Sequence, residues 1–138
     1  MYVCIEGFWF YKFFTNCYNL QTMTESRIQQ DICIFYRNNF CLRHHNPRSM
    51  LISTNNEGGM KTRNNAVAKG MYVGVSDIII LHNTASPLRI LFIEVKRKNK
   101  RQRLSQINFQ NHCIQMGLDY FIVTSIDEFK KIISNYGK

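Results

Sequence analysis

"GVSDIIIL" (residues 74–81), followed at residues 91–97 by "LFIEVKR", decides the fold. Each is a continuous apolar run of strand length, the pattern of a strand covered on both faces. The intervening "NTASP" marks a short reversal, so the two runs read as adjacent central strands joined by a hairpin-type connection. Yet Asp77 opens the first run, and Glu94 and Lys96 interrupt the second. Burying an unpaired charge costs several kcal/mol, so three ionisable groups in such places need a shared partner. A metal ion would be one.

Outward from these strands, the elements alternate. From Glu25, Ile28, Ile32 and Phe35 recur at helical spacing with Arg27, Gln30 and Arg37 elsewhere on the wheel, which predicts an amphipathic helix ending near Phe40. Glu25 falls on its apolar side, and lies three residues after Thr22, so a capping box competes with any chemical role for it. "HHNPR" breaks the chain, "SMLIST" is a short strand, and "NNEGG" is a turn in which Glu57 either approaches the site or closes the turn. Residues 61–74 read as a flexible basic loop carrying Lys61, Arg63 and Lys69. After the second central strand, "KNKRQR" forms a basic turn with Lys98, Lys100, Arg101 and Arg103. A helix from Leu104 stops at Gly117, "DYFIVT" is another buried strand, and Ser125 with Glu128 has capping-box spacing for a final helix. The predicted order is α-β-β-β-α-β-α.

A chain of 138 residues with 45% hydrophobic content fits one compact domain. Lys and Arg number 18 against 9 Asp and Glu, and the resulting +9 points to a polyanionic partner, nucleic acid or an anionic membrane surface. Five cysteines without a CxxC pair, set mostly among apolar neighbours, read as reduced thiols of a cytoplasmic protein. Cys33, Cys41, His44 and His45 match the spacing of no common zinc module. The opening "MYVCIEGFWFYKFFTNCYNLQT" is aromatic and apolar, but Glu6 and Lys12 interrupt it, so it reads neither as a signal peptide nor as a membrane span. We therefore expect residues 1–22 to be an N-terminal extension and residues 23–138 to be the working domain.

An acid opening one central strand and Glu-x-Lys in the next meets a specific chemical need. Two carboxylates hold a hard divalent cation, and an ammonium orients or helps deprotonate a water beside it. Glu94 and Lys96 would share one face of their strand, with the Val95 backbone carbonyl between them as a further ligand. Such triplets are common on solvated strands, but flanks of "III" and "LFI" argue against that plainer reading here.

With these motifs the sequence resembles the PD-(D/E)XK nuclease superfamily, and within it the VRR-NUC group found in phages and fused to larger repair nucleases. The resemblance runs from about Thr24 to Lys131 through "ESRIQQ", "STNNEGG", "GVSDIIIL", "FIEVK" and a Gln-containing helix after a basic loop. It implies a restriction-endonuclease-like αβββαβ core with a mixed central sheet flanked by helices. It also implies that Asp77 and Glu94 are metal ligands, Lys96 positions the water, Glu25 completes or buttresses the site, and Gln106 is the glutamine of the second helix. Related sequences carry Ser-x-x-Gln there, whereas this chain has "RLSQINFQ", which leaves Gln110 as a competitor. Ser76 stands where the superfamily has proline before the aspartate.

The expected activity is Mg²⁺- or Mn²⁺-dependent endonucleolytic hydrolysis of DNA, since all-oxygen ligands disfavour zinc. Lys61, Arg63, Lys69, Lys98, Lys100, Arg101 and Arg103 are the expected phosphate contacts. The four histidines, His44, His45, His82 and His112, show neither a nucleophile partner nor ligand spacing, and fit surface or hydrogen-bonding roles. A lone domain with one metal site reads little sequence, so we expect selection of branched DNA by a C2 homodimer, as in the stand-alone proteins it resembles. If the chain is viral, its compartment is the host cytoplasm. The rival is a non-catalytic nucleic-acid-binding domain, for which carboxylates beside the phosphate path would be a liability.

Overall fold

The computed structural model describes residues 23–41, 49–54, 67, 70, 72–83 and 87–136. The first helix, α1 (Glu25–Tyr36), begins at Thr24, whose Oγ1 accepts a hydrogen bond from the Arg27 backbone N–H at 3.2 Å. Glu25 is therefore the first residue of the helix and not the third, so it does not close the capping box that its spacing from Thr22 allowed. The buried stripe of α1 is Ile28, Ile32 and Tyr36, with Phe35 at its margin. Beyond Tyr36 the chain widens into a π-helical turn, Arg37–Cys41, where the expected end near Phe40 falls. Within it, Phe40 stacks on Tyr36 with ring centroids 4.9 Å apart.

The described strands, β1 (Met50–Ser53), β2 (Ile78–His82), β3 (Arg89–Val95) and β4 (Asp119–Val123), form one mixed sheet in the order β1-β2-β3-β4. β1 and β2 are antiparallel, as are β2 and β3, where Ile78 faces Ile93 and Ile80 faces Leu91. β4 runs parallel to β3, with Val95 beside Val123. A parallel neighbour requires a crossover, and α2 (Leu104–Gln115) supplies it. Gly117 then ends that helix with φ of +70°, while the Leu118 N–H bonds the Cys113 carbonyl at 2.9 Å. The last helix, α3 (Ile126–Tyr136), follows β4 directly. Ser125 Oγ accepts from the Glu128 N–H at 3.2 Å, as its spacing predicts, but the Glu128 carboxylate reaches past Ser125 to the N–H and hydroxyl of Thr124.

The strand period divides the sheet into two unlike faces. On one, Ile78, Ile80, Leu91, Ile93, Val95 and Val123 are at most 1% exposed and pack in one core with Ile28, Ile32 and Tyr36 of α1 and Phe129 and Ile133 of α3. On the other, Phe92 meets Phe109 of α2 edge-on at 5.3 Å. α2 buries only Phe109 and Cys113, so the end of that face is left to polar side chains. The architecture is thus a mixed α/β fold with helices on both sides of a four-stranded sheet. No helix among the described residues is long and apolar enough to cross a membrane.

Candidate metal centre

Asp77 lies one residue before β2, where the strand register carries it alongside Glu94. Its Oδ2 accepts the Val95 N–H at 2.8 Å, and its backbone carbonyl accepts the Thr54 N–H at 2.9 Å and the Gln29 side-chain amide at 3.3 Å. The preceding Ser76 is fully buried and donates to the Ile78 carbonyl at 3.0 Å. The aspartate is held from both its backbone and its side chain.

Glu94 is fully buried on the α2 side of β3, an extreme place for a carboxylate. Its Oε1 accepts Lys96 Nζ at 2.5 Å and the Gln106 side-chain N–H, and its Oε2 is approached by the Tyr120 hydroxyl at 3.5 Å. Lys96 follows the last residue of β3, but its N–H still bonds the Val123 carbonyl at 2.9 Å, so the strand alternation continues and its side chain joins Glu94. Glu25 arrives from the start of α1: its Oε1 accepts the Arg97 N–H at 3.0 Å, which ties the helix to the residue after Lys96.

Of the two candidate glutamines, Gln106 and Gln110, it is Gln106 that reaches the site. Its Oε1 accepts the Arg103 N–H at 2.8 Å, closing the first turn of the helix, while its Nε2 donates to Glu94. Gly74 makes this approach feasible. With φ of +85°, it lies so close to the first turn of α2 that a Cβ there would strike the Ser105 carbonyl and stand 2.9 Å from the Gln106 nitrogen.

The electrostatics follow from the burial. Desolvation pushes the Asp77 carboxyl up, against the Val95 N–H and the Lys96 charge, and Glu25 adds repulsion. Glu94 is pushed up to about 7, first by burial and then by the charge of Asp77, with the Lys96 hydrogen bond opposing both. Glu94 is thus raised by burial and by Asp77, and Asp77 by burial and by Glu25, so the carboxylates form a locus that a divalent cation would relieve. Among the described residues, no three His, Cys, Asp or Glu side chains are grouped closely enough to enclose a metal. The residues nonetheless fit Mg²⁺ or Mn²⁺. Mg²⁺ is commonly held by one or two carboxylates, with water and substrate phosphate filling its octahedron. The Val95 carbonyl adds a third oxygen on the same side, because N–H and C=O of one strand residue point the same way and its N–H meets Asp77.

Asp77, Glu94, Lys96, Gln106 and Glu25 are therefore brought together, with Val95, at one end of the sheet. Lys98, Lys100, Arg101 and Arg103 lie exposed beside them on a turn closed by the Lys100 N–H to the Arg97 carbonyl at 3.0 Å, with Asn99 at φ of +71°. Arg97, also exposed, extends this basic row, although the spacing argument passed over it. Lys61, Arg63, Lys69, Glu57, His44 and His45 lie outside the described residues. His82 is buried at the opposite end of β2, 2.7 Å from the Tyr36 hydroxyl, and burial lowers its pKa. Tyr120 and Gln102 are the site residues that sequence reasoning missed. Only the parallel register of β4 brings Tyr120 to the face of Glu94, and nothing in "DYFIVT" announces it.

No protein-family model, no curated protein and no solved structure matches the chain.

Proposed function

We propose that this protein is a Mg²⁺- or Mn²⁺-dependent endodeoxyribonuclease with a restriction-endonuclease-like core, similar to the VRR-NUC group, acting on phosphodiester bonds in DNA. The observation that carries the reading is the convergence of Asp77, Glu94 and Lys96 at one sheet end, with Gln106 on the same carboxylate and the basic 97–103 turn alongside. Asp77, Glu94 and the Val95 carbonyl would hold the cation, with Glu25 buttressing them through Arg97. The cation supplies Lewis acidity, which acidifies water and offsets charge on the phosphoryl oxygens. Lys96, anchored on Glu94, orients the attacking water and contributes its own positive charge to the phosphate. Gln106 fixes Glu94 from α2, and the exposed Arg97, Lys98, Lys100, Arg101 and Arg103 bind the flanking backbone.

A second reading, a nucleic-acid-binding domain without catalysis, is favoured by one observation. Glu94 is already neutralised by Lys96 at 2.5 Å, as a buried structural ion pair would be. That reading leaves the Asp77 carboxylate only the Val95 N–H to serve, beside a phosphate path that its charge would repel. Incubating the protein with a four-way junction, a flap and linear duplex, each with Mg²⁺ or with chelator, separates the two. The nuclease reading expects metal-dependent nicks, most readily in the junction, and binding without cleavage in every lane would establish the rival.

A further inference from the structure

Glu94 has two oxygens, and they are treated differently. Oε1 takes both strong donors, Lys96 Nζ and Gln106 Nε2, so the direction of the carboxylate plane depends on what restrains Oε2. The approaching group is the Tyr120 hydroxyl at 3.5 Å. That hydroxyl is also met by Gln102 Nε2 at 3.3 Å. An amide nitrogen only donates, so the Tyr120 oxygen is the acceptor in that contact and its single proton is directed at Glu94. The order is fixed: Gln102 to Tyr120, and Tyr120 to Glu94. The ring cannot easily swing away, because Phe109 packs against it edge-on at 6.1 Å and Phe109 is itself held by Phe92 at 5.3 Å. Gln102, in turn, sits between Arg101 and Arg103 on the basic turn.

We propose that Tyr120 is a positioning residue for Glu94, and that Gln102 and Tyr120 form a two-membered relay from the basic turn to the oxygen of Glu94 that faces away from Lys96. The inference rests on the metal-dependent reading of the site. The relay holds the carboxylate in its binding orientation before any cation arrives, as partners of ligating carboxylates generally do. Hydroxyl and amide both act through Glu94 and touch neither cation nor DNA.

The test is Mn²⁺ binding to the DNA-free protein by titration calorimetry, with melting temperature measured in chelator on the same samples. Tyr120→Phe keeps the ring against Phe109 and deletes only the hydroxyl. It should weaken Mn²⁺ binding about tenfold, at the lower end of what such partners contribute, because the contact is long. Gln102→Ala should shift binding in the same direction, and the double variant should bind no more weakly than Tyr120→Phe alone, since the two act in series. Cleavage by Tyr120→Phe should recover at high Mn²⁺, unlike cleavage by a Lys96 variant. Unchanged Mn²⁺ binding in Tyr120→Phe, a fall in melting temperature without a binding shift, or strictly additive effects would overturn the relay while leaving the metal site standing. A wild-type protein that binds no Mn²⁺ would instead overturn the metal-dependent reading, and the relay with it.

Discussion

The two faces of the sheet are built from the same strands by alternate residues, yet they do opposite things. Facing α1 and α3, β3 presents Leu91, Ile93 and Val95, all but inaccessible to solvent, in a core with no charge. Facing α2, the same strand and its extension present Phe92, Glu94 and Lys96. The first face is closed by two helices and fixes the register. Among the described residues, the second is covered where Phe109 reaches it, and beyond that point carboxylates and an ammonium are held by hydrogen bonds. An apolar face at the back fixes the register that keeps a polar cluster at the front, because a one-residue slip would exchange the two sets. On the proposed reading, stability belongs to one side and chemistry to the other.

Substitutions should break this division in predictable order. If Lys96 orients the attacking water as proposed, Lys96→Ala should lower turnover about 10²- to 10⁴-fold even at saturating Mg²⁺, measured in single-turnover cleavage. Recovery by added Mg²⁺ alone would deny Lys96 that role. On the other face, Ile93→Ala should cost about 2–5 kcal/mol in denaturant unfolding, with the folded fraction cutting normally. Gly74→Ala tests the seam between them. A Cβ at φ of +85° meets the Ser105 carbonyl, so the first turn of α2 must move, taking Gln106 from Glu94. We expect a loss of about 1–3 kcal/mol together with reduced turnover. A stability loss with full activity would show that Gln106 does not support the site.

How much of this division was legible depends on the range of the interaction. Alternation and apolar runs placed β2 and β3 side by side, and Asp77, Glu94 and Lys96 on them, because strand period and charge burial are local properties. The helix start at Glu25 was legible but its cap was not, since Thr22 and Thr24 are both capable caps and only the tertiary bond to Arg97 shows where the Glu25 carboxylate goes. Gln106 was separable from Gln110 only once Gly74 brought the loop against the first turn of α2. Tyr120 was invisible because parallel register is set by the crossover and not by its own strand. Of the aromatics before residue 41, Tyr36 is in the core and Phe35 and Phe40 pack against it, whereas those of residues 1–22 lie outside the described residues.

A smaller effect sharpens the contrast at the far end of β2. His82 is buried against Tyr36 and its pKa is lowered from the ordinary 6.5, so the native state prefers the neutral ring. Stability from this group is present above that value and is lost as pH falls through the lowered folded pKa. The melting-temperature advantage of wild type over His82→Gln should therefore shrink between about pH 7.5 and pH 5.5, in the range where histidine titrates. An advantage that grows on acidification would reverse the assignment.

The central claim is that Asp77 and Glu94 serve a cation and not the fold. It is tested most directly by measuring DNA affinity in chelator and cleavage in Mg²⁺ on the same preparations of wild type, Asp77→Asn and Glu94→Gln. On the proposed mechanism each variant would remove several kcal/mol of transition-state charge stabilisation, so cleavage should fall about 10³-fold or more. Affinity should hold or tighten, because a carboxylate that repels phosphate has been neutralised. Loss of binding in parallel with loss of cutting, or cutting that persists in both variants, would contradict the account.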